Sequence, residues 1–372
     1  IYSFDLERFR QGIKSTVYKF APSGIYYPGD PGFPDKSGIN KKWWQFAPRL
    51  GLAWDPSGDG RFSVRASYGL GYDFPNSETL LNAGSAPPWT SQLTLDVPAG
   101  GFDNPWLNIP GGNPYPVTAN ANTPFTPNGP YIAVKYDTKT TYLQSWNLAV
   151  QRQIGSDWIA SASYIGNMTT HLWASKRINP AVYFPGGPCT LNGVTYPVCS
   201  TDANVQQRRR FSLERPADGV YLGTVDLLED GATSNYHGML LSLQRRAVRG
   251  ITVSGNYTLS HCVGDNNVGY TVVNTNSVYA NPDDRRFDRG NCNSDKRHIF
   301  TLTSLAETPK FSNNTLRAIG SGWRLSGIYR ALSGSYFSVT SGLDQAKNGN
   351  PGQRPSQILG SAYPANKGYS TY

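Results

Sequence analysis

Residues 46–73, FAPRLGLAWDPSGDGRFSVRASYGLGYD, read as two β-strands joined by one tight turn. After the turn, Phe62, Val64, Ala66, Tyr68, Leu70 and Tyr72 alternate without a break with Arg61, Ser63, Arg65, Ser67, Gly69 and Gly71. A period of two places the two sets on opposite sides of a sheet. The connection Pro56-Ser57-Gly58-Asp59-Gly60 supplies the Gly and Asp that tight turns need. One face is apolar and ends in aromatics, and the other is small and polar. A strand that faces lipid on one side and a polar lumen on the other reads this way. A soluble antiparallel sheet also alternates, so the hairpin alone leaves both readings open.

The rest of the chain separates them. It has 372 residues, 16% charged and 13% aromatic, with 39 Gly, 27 Pro and only 2 Met. This composition suits strands and turns rather than helices. No apolar run is long enough for a membrane helix. The mean hydropathy of −0.45 does not speak against a barrel, because only every second residue of a barrel strand meets lipid. The net charge of +9 and the run Gln206-Gln207-Arg208-Arg209-Arg210 raise nucleic acid as a partner. No nucleic-acid motif accompanies the run, and basic loops beside an anionic lipid surface account for the sign as well, so no nucleic acid is expected. The first residue is Ile1, with no signal peptide, and the chain reads as a piece of something larger or a processed product.

Residues 1–45 and 74–139 carry no clean period and are rich in Pro, Gly and Asn, so they read as loop. A second hairpin starts near Thr141. Its Trp146, Leu148 and Val150 alternate with Ser145, Asn147, Ala149 and Gln151, and it turns at Gly155-Ser156-Asp157. A loop from about 175 to 234 follows. A third hairpin then sets Met239, Leu241 and Leu243 against Leu240, Ser242 and Gln244, turning near Arg249-Gly250. A loop over about 263–296 leads to a fourth hairpin, from Arg297 through Ala306, a turn over 308–321, and the return GWRLSGIYRALSG; the tail after Ser341 reads as loop. Long and short connections therefore alternate strictly. A sheet that crosses a bilayer on every strand produces that alternation, and closure satisfies its backbone in lipid. The expected fold is all-β: an antiparallel transmembrane β-barrel fragment, about eight strands in four hairpins, with long extracellular loops. The whole of 1–372 belongs to one barrel domain, and Arg65, Arg324 and Arg330 face the lumen.

Four stretches also resemble the barrel of Oar-like TonB-dependent outer-membrane receptors. They are residues 46–73, SWNLAVQRQIGSDWIASASYIGN (145–167), YHGMLLSLQRRAVRGITVSGNYTLSH (236–261), and DRRFDRGNCNSDKRHIF (284–300) with GWRLSGIYRALSGSYFSVTSG (322–342); Arg354-Pro355 follows in place. The resemblance implies a barrel of about 22 strands with a plugged lumen. It implies outer-membrane lipid as surroundings, uptake of a bulky extracellular ligand, and energy from TonB through a part not present here. A plug domain and the remaining strands are absent from these residues.

Candidate site residues follow from side-chain chemistry. Cys189, Cys199, Cys262 and Cys292 form two sequence-local pairs in loop-like sequence without a CxxC, which favours two disulfides in an oxidising compartment. Asp283, Asp284 and Asp288, with Asn281, Asn291, Asn293 and Asp295, offer oxygen ligands of the kind Ca²⁺ takes. Arg285, Arg286, Arg289, Lys296 and Arg297 make an ion-paired loop base the plainer reading, and no cofactor is expected. Asp265, Asn266 and Asn267 form a weaker cluster of the same type. Trp89, Trp106, Tyr115 and Tyr131 are loop aromatics that could stack on a sugar or peptide, or pack against one another. His171, His237, His261 and His298 belong to no Ser/His/Asp or Cys/His signature, so no enzyme is expected. An adhesive or structural surface β-protein and a secreted carbohydrate-binding domain are the competing classes.

Overall fold

The structure is a computed structural model. It describes residues 2–33, 40–73, 81, 84, 86–90, 100–107, 112–113, 115–116, 118–248, 250–265 and 278–356. Asn266, Asn267 and Arg249 lie outside the described residues. In chain order the strands are β1 (Ser3–Phe4), β2 (Ile25–Tyr26), β3 (Arg49–Trp54), β4 (Phe62–Tyr72), β5 (Gly129–Val134), β6 (Tyr142–Ile154) and β7 (Trp158–Arg177). They continue as β8 (Cys189–Leu191), β9 (Val194–Tyr196), β10 (Leu222–Val248), β11 (Ile251–Gly264), β12 (Gly290–Asn291), β13 (His298–Glu307) and β14 (Arg324–Leu332).

Eight of these form one antiparallel path, β14-β13-β11-β10-β7-β6-β4-β3. The eight expected strands are all present and pair in the expected four hairpins. The register carries the face assignment from strand to strand. Trp54, Val64, Val150, Ala162, Leu241, Tyr257, Phe300 and Ala331 lie in one continuous row. One residue along, Ser63, Gln151, Ser161, Ser242, Asn256, Thr301 and Arg330 form an entirely polar row. Because the side-chain period is two, no strand has slipped by one residue; a slip would mix the rows. Arg65, Arg324 and Arg330 fall on the polar face. There Arg324 Nε donates to Glu307 Oε1 of the neighbouring strand at 2.7 Å.

The apolar face is bounded by aromatics. Trp54, Trp158 and Trp323 stand at the short-turn end, where Arg245 lies over the Trp158 ring. Trp146, Tyr164 and His237 meet near the other end, where the Tyr164 hydroxyl is 2.7 Å from His237 Nδ1. Gly166 lies beneath the Trp146 indole, with no room for a Cβ, so the ring covers a backbone position without a side chain of its own. The sheet does not close, since β3 and β14 are its edges. Their side chains are exposed on both faces for nearly their whole length.

Three loop expectations are corrected. The span 175–234 is loop only in its middle: β7 runs to Arg177 and β10 begins at Leu222, giving strands of 20 and 27 residues. A bilayer needs only about 9–11, so both strands project well beyond it. Residues 1–45 contain β1, β2 and the helix Leu6–Gln11, capped by Asp5 and ended by Gly12 at φ 72°. Residues 74–139 contain β5, which pairs in parallel with β10. The turn over 308–321 carries a short helix, Asn314–Gly320. The strands β1, β2 and β5 do not alternate cleanly, because they are buried by distant residues rather than exposed to two solvents.

Candidate functional site: a packed body at the long-connection end

The ladder between β7 and β10 shifts register around Glu229, Ala232 and Ser234, and His171 opposite has φ 56°. Bulges of this kind bend a strand pair. Beyond them the two strands act as a stalk on which the long connections assemble. β5 adds to one side of β10, and the β1–β2 hairpin docks on β5. The Tyr2 hydroxyl accepts from Ile132 N at 2.6 Å, and Ser3 Oγ donates to Val134 O at 2.7 Å.

The interior of this body is aromatic. Phe4 and Phe9 pack on Phe211 with ring centroids 5.1 and 4.5 Å apart. Tyr2 meets Tyr131 edge-on at 6.0 Å. Ile25, Leu222 and Val225 fill the space between them. Aromatic pairs add about 0.5–1.5 kcal/mol each beyond the area they bury. Burial pushes the Tyr2, Tyr27 and Tyr131 hydroxyls well above the ordinary tyrosine range.

A polar layer lies beside this core. Arg177 and Asp226, register partners on β7 and β10, form a bidentate pair at 2.9 and 3.1 Å, with side chains only 4% and 1% exposed. Asn179 donates to Leu222 O and Gly223 O and accepts from Phe211 N. Fully buried Arg208 donates to Val182 O, Thr201 O and Lys347 O. Arg209 donates to Asn179 O, and burial lowers its guanidinium to about 10. The run at 206–210 therefore turns Arg208 and Arg209 inward, and Arg210 pairs with Asp283 at 3.6 Å. It ties the 344–350 segment and the loop Cys189–Cys199 to the stalk rather than presenting a basic surface.

Two carboxylates anchor the N-terminal part. Burial alone would raise Asp30, but bonds from Tyr27 N, Ser15 Oγ and Thr16 N and Oγ1 outweigh it and hold the carboxyl below its ordinary value. Asp218 is likewise opposed by burial and held low by Ser23 and Lys14. A carboxylate depressed in the folded state contributes stability above its unfolded pKa, about 3.9, and loses it as pH falls through the folded value. The protection factors of residues 13–33, intrinsic exchange rates divided by the observed rates at each pH, are therefore expected to be flat from about pH 8 to 5 and to fall below about pH 4. Asp30→Asn should already exchange fast at neutral pH, with a flatter acid response. An identical profile in both proteins would remove Asp30 from this role.

The residues singled out from the sequence divide among these places. Cys189 bonds Cys199, closing the β8–β9 hairpin, and Cys262 bonds Cys292 at the base of the third loop. Tyr131 is 1% exposed in the core, and Trp89 packs on Tyr2 and Tyr27. Trp106 and Tyr115 stay at the surface as a ring pair 6.1 Å apart. Asp283 faces Arg210, Asp284 caps the turn at Arg285–Asp288, and Asp288 accepts from Ala280 N and pairs with Arg354 at 3.0 Å. The three do not converge on one point, and among the described residues no acidic or His/Cys group of three is placed to share a cation. Asp265 pairs with Arg289 and accepts from Thr233. Arg177, Asn179 and Asp226 carry no local sequence signal, since each is defined by a partner tens of residues away, whereas the partners of Asp30 lie within 15 residues.

A family model described as outer membrane beta barrel domain matches residues 2–372. No curated protein matches the chain. Among solved structures, the chain is similar to the outer membrane transporter YddB from Escherichia coli, at 12% identity and a TM-score of 0.40, over 77% of this chain and 33% of that one. It is similar to the FrpB iron transporter from Neisseria meningitidis (F3-3 variant), at 12% identity and 0.32, over 72% and 25%. It is also similar to the siderophore receptor PirA from Acinetobacter baumannii, at 11% and 0.31, over 77% and 33%. The chain spans a quarter to a third of the length of these structures.

Proposed function

Because the chain belongs to the outer membrane beta barrel domain family, and so lies in the outer membrane of a Gram-negative bacterium, we propose that it is the loop-bearing part of the barrel of a TonB-dependent receptor of the Oar-like kind. It takes up a bulky ligand such as a sugar or peptide. The observation that carries this reading is a sheet with one apolar and one polar face over eight strands, two open edges, and a packed body at one end. Open edges in lipid leave backbone groups without partners, so β3 and β14 continue into further strands of a larger barrel. A larger barrel encloses a plugged lumen, and the polar rows line it. TonB engages a part outside these residues. The surface pair Trp106 and Tyr115 offers a ligand flat apolar faces, while Trp89 and Tyr131 serve the body's interior.

The test is depletion of a defined mixture of oligosaccharides and peptides by cells producing the full-length protein, with and without TonB. One class is expected to disappear from the medium only when both are present. Replacing Trp106 and Tyr115 together by Ala is expected to slow that depletion about tenfold or more, as aromatic contact residues commonly do, with folding unchanged. Depletion independent of TonB, or none at all alongside retained cell adhesion, would favour the surface-structural class.

A further inference from the structure

The loop-side rim of the apolar face carries a recess of about 400 Å³ whose lining includes Lys41, Lys42, Trp44, Lys139, Tyr142 and His171. Its side of the sheet follows from register. Tyr72, which also lines it, ends the apolar set of β4 and is the cross-strand partner of Tyr142. Their rings lie 6.2 Å apart, and Tyr142 is 5.7 Å from the His171 ring. Trp44 is 83% exposed and sits 6.0 Å from Phe46, itself exposed. Exposed Trp and Tyr at the edge of an apolar band belong at the level of lipid head groups. Three ammonium groups are gathered there. Among the described residues neither Lys42 nor Lys139 forms an ion pair. One carboxylate beside the recess, Asp230, is engaged by His171 Nδ1 at 3.4 Å and by the Lys139 backbone amide at 3.0 Å.

We infer that this recess binds the phosphorylated head group of an anionic lipid of the surrounding leaflet. The lysines supply point charges to phosphate, and Trp44 and the tyrosines lie against the apolar or sugar portion. Charge complementarity and position above the lipid-facing band select this occupant over a soluble ligand, which would enter from the lumen or the loop tips. The site lies outside the barrel. It rests on the membrane placement and the face assignment, and it stands or falls independently of uptake.

The test uses the full-length protein extracted from outer membranes and examined by native mass spectrometry. Wild-type protein is expected to retain a phosphorylated lipid. Lys42→Glu with Lys139→Glu should lower its occupancy about tenfold, given the worth of two basic residues beside an anionic surface. Trp44→Ala should lower it less. Lys310→Glu, at the opposite end of the sheet, should not change it. Heat-modifiable migration on gels confirms that each variant is folded, and if charge reversal prevents folding, Lys42→Gln with Lys139→Gln carries the same comparison. Added vesicles of the phosphorylated lipid should restore occupancy, while excess inorganic phosphate should not displace it. Equal occupancy in wild type and the lysine variants, or retention of the dephosphorylated lipid to the same extent, would overturn the assignment. Displacement by inorganic phosphate would overturn the lipid as its source.

Discussion

Leu241→Arg is expected to destabilise the barrel by about 2–4 kcal/mol, the cost of a basic side chain on the lipid face at the bilayer midplane. Leu241 lies midway along the apolar face of β10, four residues from His237 at one rim and four from Arg245 at the other. At about 3.3 Å per residue it is thus roughly 13 Å of strand from either polar boundary. Its row neighbours are Ala162 and Tyr257, which offer an arginine no carboxylate. Ser242→Arg is the control: one residue further, its neighbours are Ser161 and Asn256 on the polar face, and the expected cost is near zero. Urea titration of the full-length protein in lipid vesicles reads both. The first variant should shift the folded-to-unfolded ratio by at least about 30-fold relative to the second. Equal shifts would mean that the two faces are not distinguished by lipid, and the membrane orientation of the sheet would be lost with them.

Asp226→Ala is expected to open the loop body at a cost of about 3–5 kcal/mol, because it leaves the Arg177 guanidinium buried without its carboxylate. Buried Arg209 makes the site still less tolerant of a lone cation. Replacing the pair by apolar residues, Arg177→Met with Asp226→Leu, should recover most of that loss, since apolar packing commonly substitutes for a buried ion pair. One contact will not return: Arg177 Nη1 also donates to Gly349 O at 3.0 Å, so the 344–350 segment should still exchange faster. Hydrogen exchange with mass spectrometry on the full-length protein separates the parts. In the single variant β1, β2 and β5 should lose protection while β4, β6 and β11 keep theirs. Equal opening in the single and double variants would show that lost side-chain contacts, rather than an uncompensated charge, hold the body together.

The two predictions differ in how far the sequence alone anticipates them. Leu241 and Ser242 could be assigned to opposite faces from alternation, because lipid and lumen impose a period of two on neighbouring residues and every strand obeys the same two solvents. The same locality made the disulfide pairs legible, since each joins cysteines 10 or 30 residues apart. Tyr131 shows where that logic stops. As an isolated aromatic in Pro- and Asn-rich sequence it reads equally as a ligand contact or as a residue packed against other loops, and only the fold decides: Tyr2 and Tyr27, more than a hundred residues away, bury it. Arg208 shows the same: a basic run that suggests a charged surface is turned inward by carbonyls at 182, 201 and 347.

Alternation along the chain thus determined the eight strands of the antiparallel path, their four hairpins, the two faces and the membrane reading, because each depends on residues within a few positions of one another. Tertiary structure decided that β7 and β10 continue past the membrane as a stalk, that the long connections pack on it around an aromatic core, and that Lys42, Lys139 and Trp44 meet at one rim. Those features arise from contacts between residues separated by tens to hundreds of positions, where burial replaces period and no local pattern records the partner.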